Sequence, residues 1–113
     1  MHEMSLAESV RDLIEAQAAK ERFHRVRTVE LEIGRFAAVD VPALRFALGI
    51  ALRGTPAEGA DLVIAEPAGQ ACCMQCSRTV ELVQRGDPCP ACGSYQLTVV
   101  GGDHMRVSGL VVD

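Results

Sequence analysis

The chain has 113 residues, enough for one ordinary domain or for one small domain carrying a metal-stapled insert. Hydrophobic residues make up 49% and charged residues 23%, a globular balance that excludes a disordered chain. The net charge of −4, the scattered basic residues and the lack of any apolar stretch near the ~18 residues of a span exclude nucleic acid and the membrane as expected partners. Trp is absent and aromatics are 4%, so the core must be built from Val, Leu, Ile and Ala.

The first residues, Met1-His2-Glu3-Met4-Ser5, show no basic region followed by an apolar one. No secretion signal is expected, and a cytoplasmic protein with reduced cysteines follows. Ser5 and Glu8 have the spacing of a capping box, with residues 1–4 before it. This predicts a helix over about residues 6–21, with Leu6, Val10, Leu13 and Ile14 on its buried stripe. Val29, Leu31 and Ile33 then alternate with Thr28, Glu30 and Glu32, the pattern of a half-buried strand over 26–33 that Gly34 ends. After a loop at 35–39, Asp40 is a plausible N-cap and Pro42 falls in the first turn, where a missing N–H costs nothing. A second helix is predicted over 41–53, with Leu44, Ala47, Leu48, Ala51 and Leu52 on its apolar side, stopped by Gly54 and Pro56. A second strand is expected at 61–66, with Leu62 and Ile64 facing one way, and a third at 105–112, after a Gly101-Gly102 turn.

Between those two strands lie Cys73-x-x-Cys76 and Cys89-x-x-Cys92, with twelve residues separating the pairs and short hairpins expected at each knuckle. Each pair can turn both sulfurs toward one point, and four thiolates around one point match the tetrahedral preference of Zn²⁺. Gly93, directly after the second pair, can take the positive φ that such a turn needs. Iron fits the same ligands, but Tyr95 is the only aromatic nearby to shield it, which favours zinc. A site with four cysteine ligands is closed, so its expected role is structural. Cys72 adjoins the first pair; the spacing to Cys76 selects Cys73 but leaves the choice open. The element order gives an α+β fold: two helices packed on a three-stranded sheet, with a zinc-ribbon-like segment inserted before the last strand. That last strand must rejoin the sheet or leave an apolar edge bare.

His2 is the most suggestive residue outside the knuckles. Met1 should be retained, because removal of the initiator generally needs a small second residue. The Met1 amine, the His2 backbone nitrogen and the His2 imidazole can then reach one ion, and a deprotonated amide favours square-planar Ni²⁺ or Cu²⁺. The imidazole binds only when neutral, so affinity should fall below a pH near ~6.5. Glu3 and Asp40 could add ligands or acceptors around it. A histidine on a frayed terminus is the bland alternative. His24, at a helix end, and His104, beside the Gly-Gly turn, are weaker candidates.

The opening Met1-His2-Glu3-Met4-Ser5-Leu6 and the strand Val29-Glu30-Leu31-Glu32-Ile33-Gly34 resemble the HypA/HybF family. So do Val39-Asp40, Leu44-Arg45-Phe46-Ala47, Thr55-Pro56-Ala57-Glu58-Gly59-Ala60 and the two cysteine pairs, in order over essentially the whole chain. The resemblance implies a cytoplasmic nickel metallochaperone for nickel-iron hydrogenase maturation, not an enzyme, that in some organisms also feeds urease. It implies Ni²⁺ as cargo on His2, with backbone nitrogens of His2 and Glu3 and possible contributions from the Glu3 and Asp40 side chains. It implies structural Zn²⁺ on Cys73, Cys76, Cys89 and Cys92. The implied partners are a maturation GTPase, the hydrogenase large-subunit precursor and, in part of the family, urease maturation proteins. Monomers and homodimers both fit. The division expected is residues 1–67 with 103–113 as the nickel domain and 68–102 as the zinc domain. The extra Cys72 departs from the family pattern and adds redox sensitivity. The competing reading is a zinc-ribbon interaction module without a second metal. A small enzyme ranks last, since no nucleophile–base pair or open metal site is present.

Overall fold

The computed structural model describes residues 2–113. In chain order its elements are α1 (His2–Glu21), β1 (Val26–Ile33), α2 (Val41–Ala51), β2 (Asp61–Ala65), β3 (Gly69–Cys73), β4 (Thr79–Leu82), β5 (Leu97–Gly101) and β6 (Met105–Val112). They form two three-stranded sheets, ordered β2-β1-β6 and β4-β3-β5. The fold is α+β, and β6 returns to lie beside β1 after the cysteine-bearing segment, as an inserted segment requires. No helix among the described residues is long and apolar enough to cross a membrane.

Two compact units result. The first holds the chain as far as Leu31, then Val39–Ile64 and Val107–Asp113; the second holds Glu32–Ala38 and Ala65–Arg106.

In the first unit α1 packs against α2. Its core is Ala7, Val10 and Ile14 from α1, Leu44, Ala47 and Leu48 from α2, Val26, Val29 and Leu31 from β1, and the following Leu52 and Ala57. Leu44 and Leu48 are wholly removed from solvent, which stabilises by about 1.5–3 kcal/mol each. Asp40 caps α2 as its sequence predicts: the backbone there is extended and the carboxylate accepts the Ala43 N–H at 3.1 Å.

The start of α1 differs from expectation. The helix begins at His2, and Ser5 lies inside it with its carbonyl accepting the Ser9 hydroxyl at 3.1 Å, so the Ser5–Glu8 capping box is not formed. Nothing between His2 and Ser5 breaks a helix, and Glu3 in the first turn suits the positive end of the helix dipole. The stripe is also rotated from the expected one. Ala7 is buried, while Leu13 is 41% exposed.

In the second unit β3 pairs antiparallel with both β4 and β5, placing Cys72 opposite Thr79 and Thr98 and Cys73 opposite Leu97. Phe36, Ala71 and Leu82 form its small core, with Val80, Leu97 and Val99 packed around them. Phe36 belongs to the stretch expected to be a plain loop. Its N–H donates to the Gly102 carbonyl at 2.8 Å, and the Arg85 guanidinium lies 5.0 Å from its ring centroid and donates to its carbonyl at 3.0 Å. A Cβ on Gly69 would enter the Phe36 ring, so only glycine lets that ring lie on the strand.

Gly102 has φ +77°, and a Cβ there would come within 2.5 Å of the Ala68 carbonyl oxygen; Gly54 has φ +76° with open space around it. Gly54→Ala should therefore cost only the backbone penalty of about 1–2 kcal/mol. Gly102→Ala should cost about 1–3 kcal/mol more, through backbone overlap. Urea unfolding of the metal-loaded proteins, followed by circular dichroism, checks the order; equal costs would show that the Ala68 contact relaxes freely.

Candidate metal centre

The two knuckles are built alike. In the first, the Ser77 N–H donates to the Cys73 carbonyl at 2.8 Å and the Cys73 N–H to the Arg78 carbonyl at 2.8 Å. In the second, the Gly93 N–H donates to the Cys89 carbonyl at 2.7 Å and the Cys89 N–H to the Ser94 carbonyl at 2.8 Å. Each turn closes on a left-handed residue, Ser77 at φ 60° and Gly93 at φ 78°. The sequence marks the second through its glycine, whereas serine accepts the same conformation in the first at a backbone cost.

The turns bring the thiols of Cys73, Cys76, Cys89 and Cys92 within 4.8 Å of one another. Cys73 Sγ lies 3.6 Å from Cys92 Sγ, and Cys76 Sγ 3.9 Å from Cys89 Sγ. Four sulfurs at ~2.3 Å from a central ion stand ~3.8 Å apart in a tetrahedron, so the donor set and its spacing fit a tetrathiolate ion. All are too far apart for the ~2.0 Å bond of a disulfide. Cys73 and Cys89 are buried, Cys76 is half-buried and Cys92 is exposed. Cys72 is outside the cluster. It follows Ala71 and precedes Cys73, both buried, and alternation along β3 turns it to the other face.

Without an ion, Cys73 and Cys92 are shifted in opposite directions. The Cys76 N–H, 3.5 Å from Cys73 Sγ, leads the effects that pull the Cys73 thiol down to about 6. For Cys92, the Ser94 N–H favours the thiolate, but burial and the neighbours Cys73, Cys89 and Cys76 outweigh it and push the thiol up to about 12. One thiolate forms readily and further ones are opposed, which a cation at the centre reverses.

The N-terminal candidates also meet. Glu3 Oε2 accepts the Asp40 N–H at 3.2 Å and lies 3.6 Å from His2 Nδ1. His2, Glu3 and Asp40 thus gather where the first turn of α1 meets the N-cap of α2. The Asp40 N–H, then the Glu3 N–H, hold the Glu3 carboxyl below its ordinary 4.5 against the opposing effect of burial, with a lesser contribution from the neighbouring His2. The Met1 amine, expected to join them, lies outside the described residues. Of the weaker candidates, His24 is exposed, and His104 Nε2 lies 3.2 Å from Glu32 Oε1 in an ionic group that Arg106 completes at 2.8 Å from Glu32 Oε2.

The sequence profile described as "Hydrogenase/urease nickel incorporation, metallochaperone, hypA" matches residues 1–112. A protein of Azotobacter chroococcum named hydrogenase maturation factor HypA is 52% identical over 113 residues, covering all of both chains. One of the same name from Alkalilimnicola ehrlichii is 47% identical over 113 residues, again covering all of both. The solution structure of a nickel metallochaperone, HypA from Helicobacter pylori, shares the fold with a TM-score of 0.70 and 24% identity, covering 97% of this chain and 96% of that one. A second, titled solution structure of HypA protein, gives 0.71 and 25%, covering 99% and 96%.

Because the folded state lowers the Glu3 carboxyl, that group stabilises the fold above its ordinary 4.5, and its contribution is lost as pH falls through the lowered value. Glu3→Gln should therefore flatten the acid dependence of stability below about pH 5, measured by urea unfolding beside wild type under the same metal conditions. Parallel pH profiles would show that the Asp40 N–H does not hold the carboxylate in solution.

Proposed function

Because the chain belongs to the HypA family, we propose that it binds Ni²⁺ at its N-terminus and delivers it during maturation of nickel-iron hydrogenase, with urease as a further client. The observation that carries this reading is the position of His2 and Glu3 in the first turn of α1. The first four N–H groups of a helix have no intrahelical acceptor. The amides of His2 and Glu3 can thus lose their protons to a metal without breaking a helical hydrogen bond, and the positive end of the helix dipole favours the resulting anions. Two amide nitrogens, the His2 imidazole and the Met1 amine make a nitrogen set suited to square-planar Ni²⁺. Protons compete for every one of these donors, so acid weakens the site.

Glu3 and Asp40 are proposed as further contributors. Their present hydrogen bonds fix the turn that presents His2, and a carboxylate oxygen from either can approach an ion there. Cys73, Cys76, Cys89 and Cys92 are proposed to hold Zn²⁺ structurally. A closed tetrathiolate leaves no position for substrate or water, so that ion would shape the second unit and supply no reaction step. The partners proposed are the GTPase of the same maturation pathway and the hydrogenase large-subunit precursor, in the reducing cytoplasm where the thiols stay available. The protein would carry and hand over an ion without catalysing a reaction.

Nickel titration calorimetry on untagged, zinc-loaded protein tests the reading, beside His2→Ala and a variant with an extra N-terminal residue. Wild type should bind about one Ni²⁺ per chain at micromolar strength or tighter, about −8 kcal/mol, and both variants should lose at least tenfold in affinity. Equal binding by all three would move nickel away from the terminus and favour a zinc-ribbon interaction module.

A further inference from the structure

Two exposed side chains of the second unit, Arg85 and Tyr95, border one cleft of about 180 Å³. Its deeper wall is the buried Phe36 and Leu82, with the half-buried Leu97 and Val99 of β5 beside them. Tyr95 is 74% exposed, more than any other large apolar side chain among the described residues. Aromatic side chains left open beside an apolar hollow are the usual anchors of interfaces.

The Arg85 guanidinium is fixed before any ligand arrives. It stacks over the Phe36 ring and donates one N–H to the Phe36 carbonyl. Its remaining N–H groups have no acceptor among the described residues. The arginines that pair with carboxylates there are Arg11, Arg27 and Arg106. Asp87 follows Arg85 closely but does not neutralise it. Its carboxylate accepts the Gln84 N–H at 3.2 Å and so closes the turn that carries Arg85. A guanidinium held in place loses little freedom on binding, and its planar fork matches a carboxylate.

An apolar hollow with a cation on its rim is complementary to an apolar group with an adjacent carboxylate. The volume suits one such group, since a cavity of roughly 150 Å³ holds benzene. We propose that the cleft receives the carboxy-terminal residue of a partner polypeptide, with its large apolar side chain against Leu97 and Tyr95 and its carboxylate on Arg85. Stereochemistry selects a chain end over an internal acidic residue. At a chain end the carboxylate and the side chain leave the same Cα. In an extended internal segment the next side chain points to the opposite face, so its carboxylate would turn away from Arg85 as its neighbour entered the cleft. Gly86 leaves room for the incoming backbone: its φ is +89°, and nothing lies within 4 Å of where a Cβ would stand. This docking does not depend on nickel binding.

Fluorescence anisotropy on the full, metal-loaded chain tests this with a labelled peptide, Gly-Ser-Gly-Ser-Ala-Phe, bearing a free carboxylate. Its expected Kd is about 100 µM. The same peptide closed as an amide should bind about tenfold more weakly, as should one ending in Ser. Arg85→Gln should bind acid and amide alike, whereas Tyr95→Ala should weaken both and keep their ratio. Arg85→Lys should keep part of the preference for the acid, which separates the loss of charge from the loss of packing on Phe36. No binding of the acid peptide at about 1 mM, equal binding of acid and amide by wild type, or an acid preference that survives Arg85→Gln would each overturn the proposal. So would equal binding of an amidated peptide ending in Phe-Asp, which would put an internal acidic residue in place of the chain end.

Discussion

Four thiolates within 4.8 Å of one another repel strongly, and the second unit has little else with which to hold its halves together. Apart from Ile33 at the end of β1 and the cysteines Cys73 and Cys89, its buried apolar residues are Phe36, Ala71 and Leu82. A core of that size is below what a chain segment needs to fold unaided, and small folds make up the shortfall with metals or disulfides. The same sulfurs that would otherwise destabilise the unit become its strongest cross-link once a cation lies among them. The sheet β4-β3-β5 carries the first cysteine of the cluster: Cys73 ends β3 opposite Leu97 of β5, so the sheet and the cluster set each other's geometry.

The first unit is held by ordinary burial, with one polar junction where the first turn of α1 meets the start of α2. Asp40 uses its carboxylate on Ala43 and its N–H on Glu3, so one residue ends a loop, starts α2 and pins the tip of α1. The nickel ligands proposed here therefore stand on a helical turn fastened to a second helix. A turn fixed by one 3.2 Å hydrogen bond is ordered enough to present an imidazole, yet it can be opened by a partner at modest cost.

Much of this was legible because the signals are local. The alternation of Val29, Leu31 and Ile33, the Asp40-x-Pro42 helix start and the Cys-x-x-Cys spacings each follow from a short-range rule, and the structure carries β1, α2 and the thiol cluster where those rules place them. The N-terminus misled because Ser5-x-x-Glu8 is a genuine capping pattern that lost to a longer-range contact, Glu3 with the Asp40 N–H, 37 positions away. The short strands of the second unit were expected only as hairpins at the knuckles, without bounds, for a related reason. Thr79-Val80-Glu81-Leu82 alternates for only four residues, and what makes it a strand is its pairing with Gly69–Cys73. Phe36 gave no periodic signal, because its place in a core depends on glycine at position 69 and on Arg85 stacked over it.

The likeness of the two knuckles bears on how the cluster assembles. The bonds that close each turn join residues at most five positions apart, so each turn can form before the other half arrives, and the longer bond from the Met74 N–H to the Gln96 carbonyl follows. Every half then presents two sulfurs as a local chelate. The remaining step is the closure of the chain between Cys76 and Cys89, whose entropy cost rises only slowly with loop length. A metal ion captured by either knuckle would serve as the nucleus on which the other condenses, and the strands between them would form as its consequence. Assembly of this unit would then be paced by ion supply rather than by the search for distant side-chain contacts.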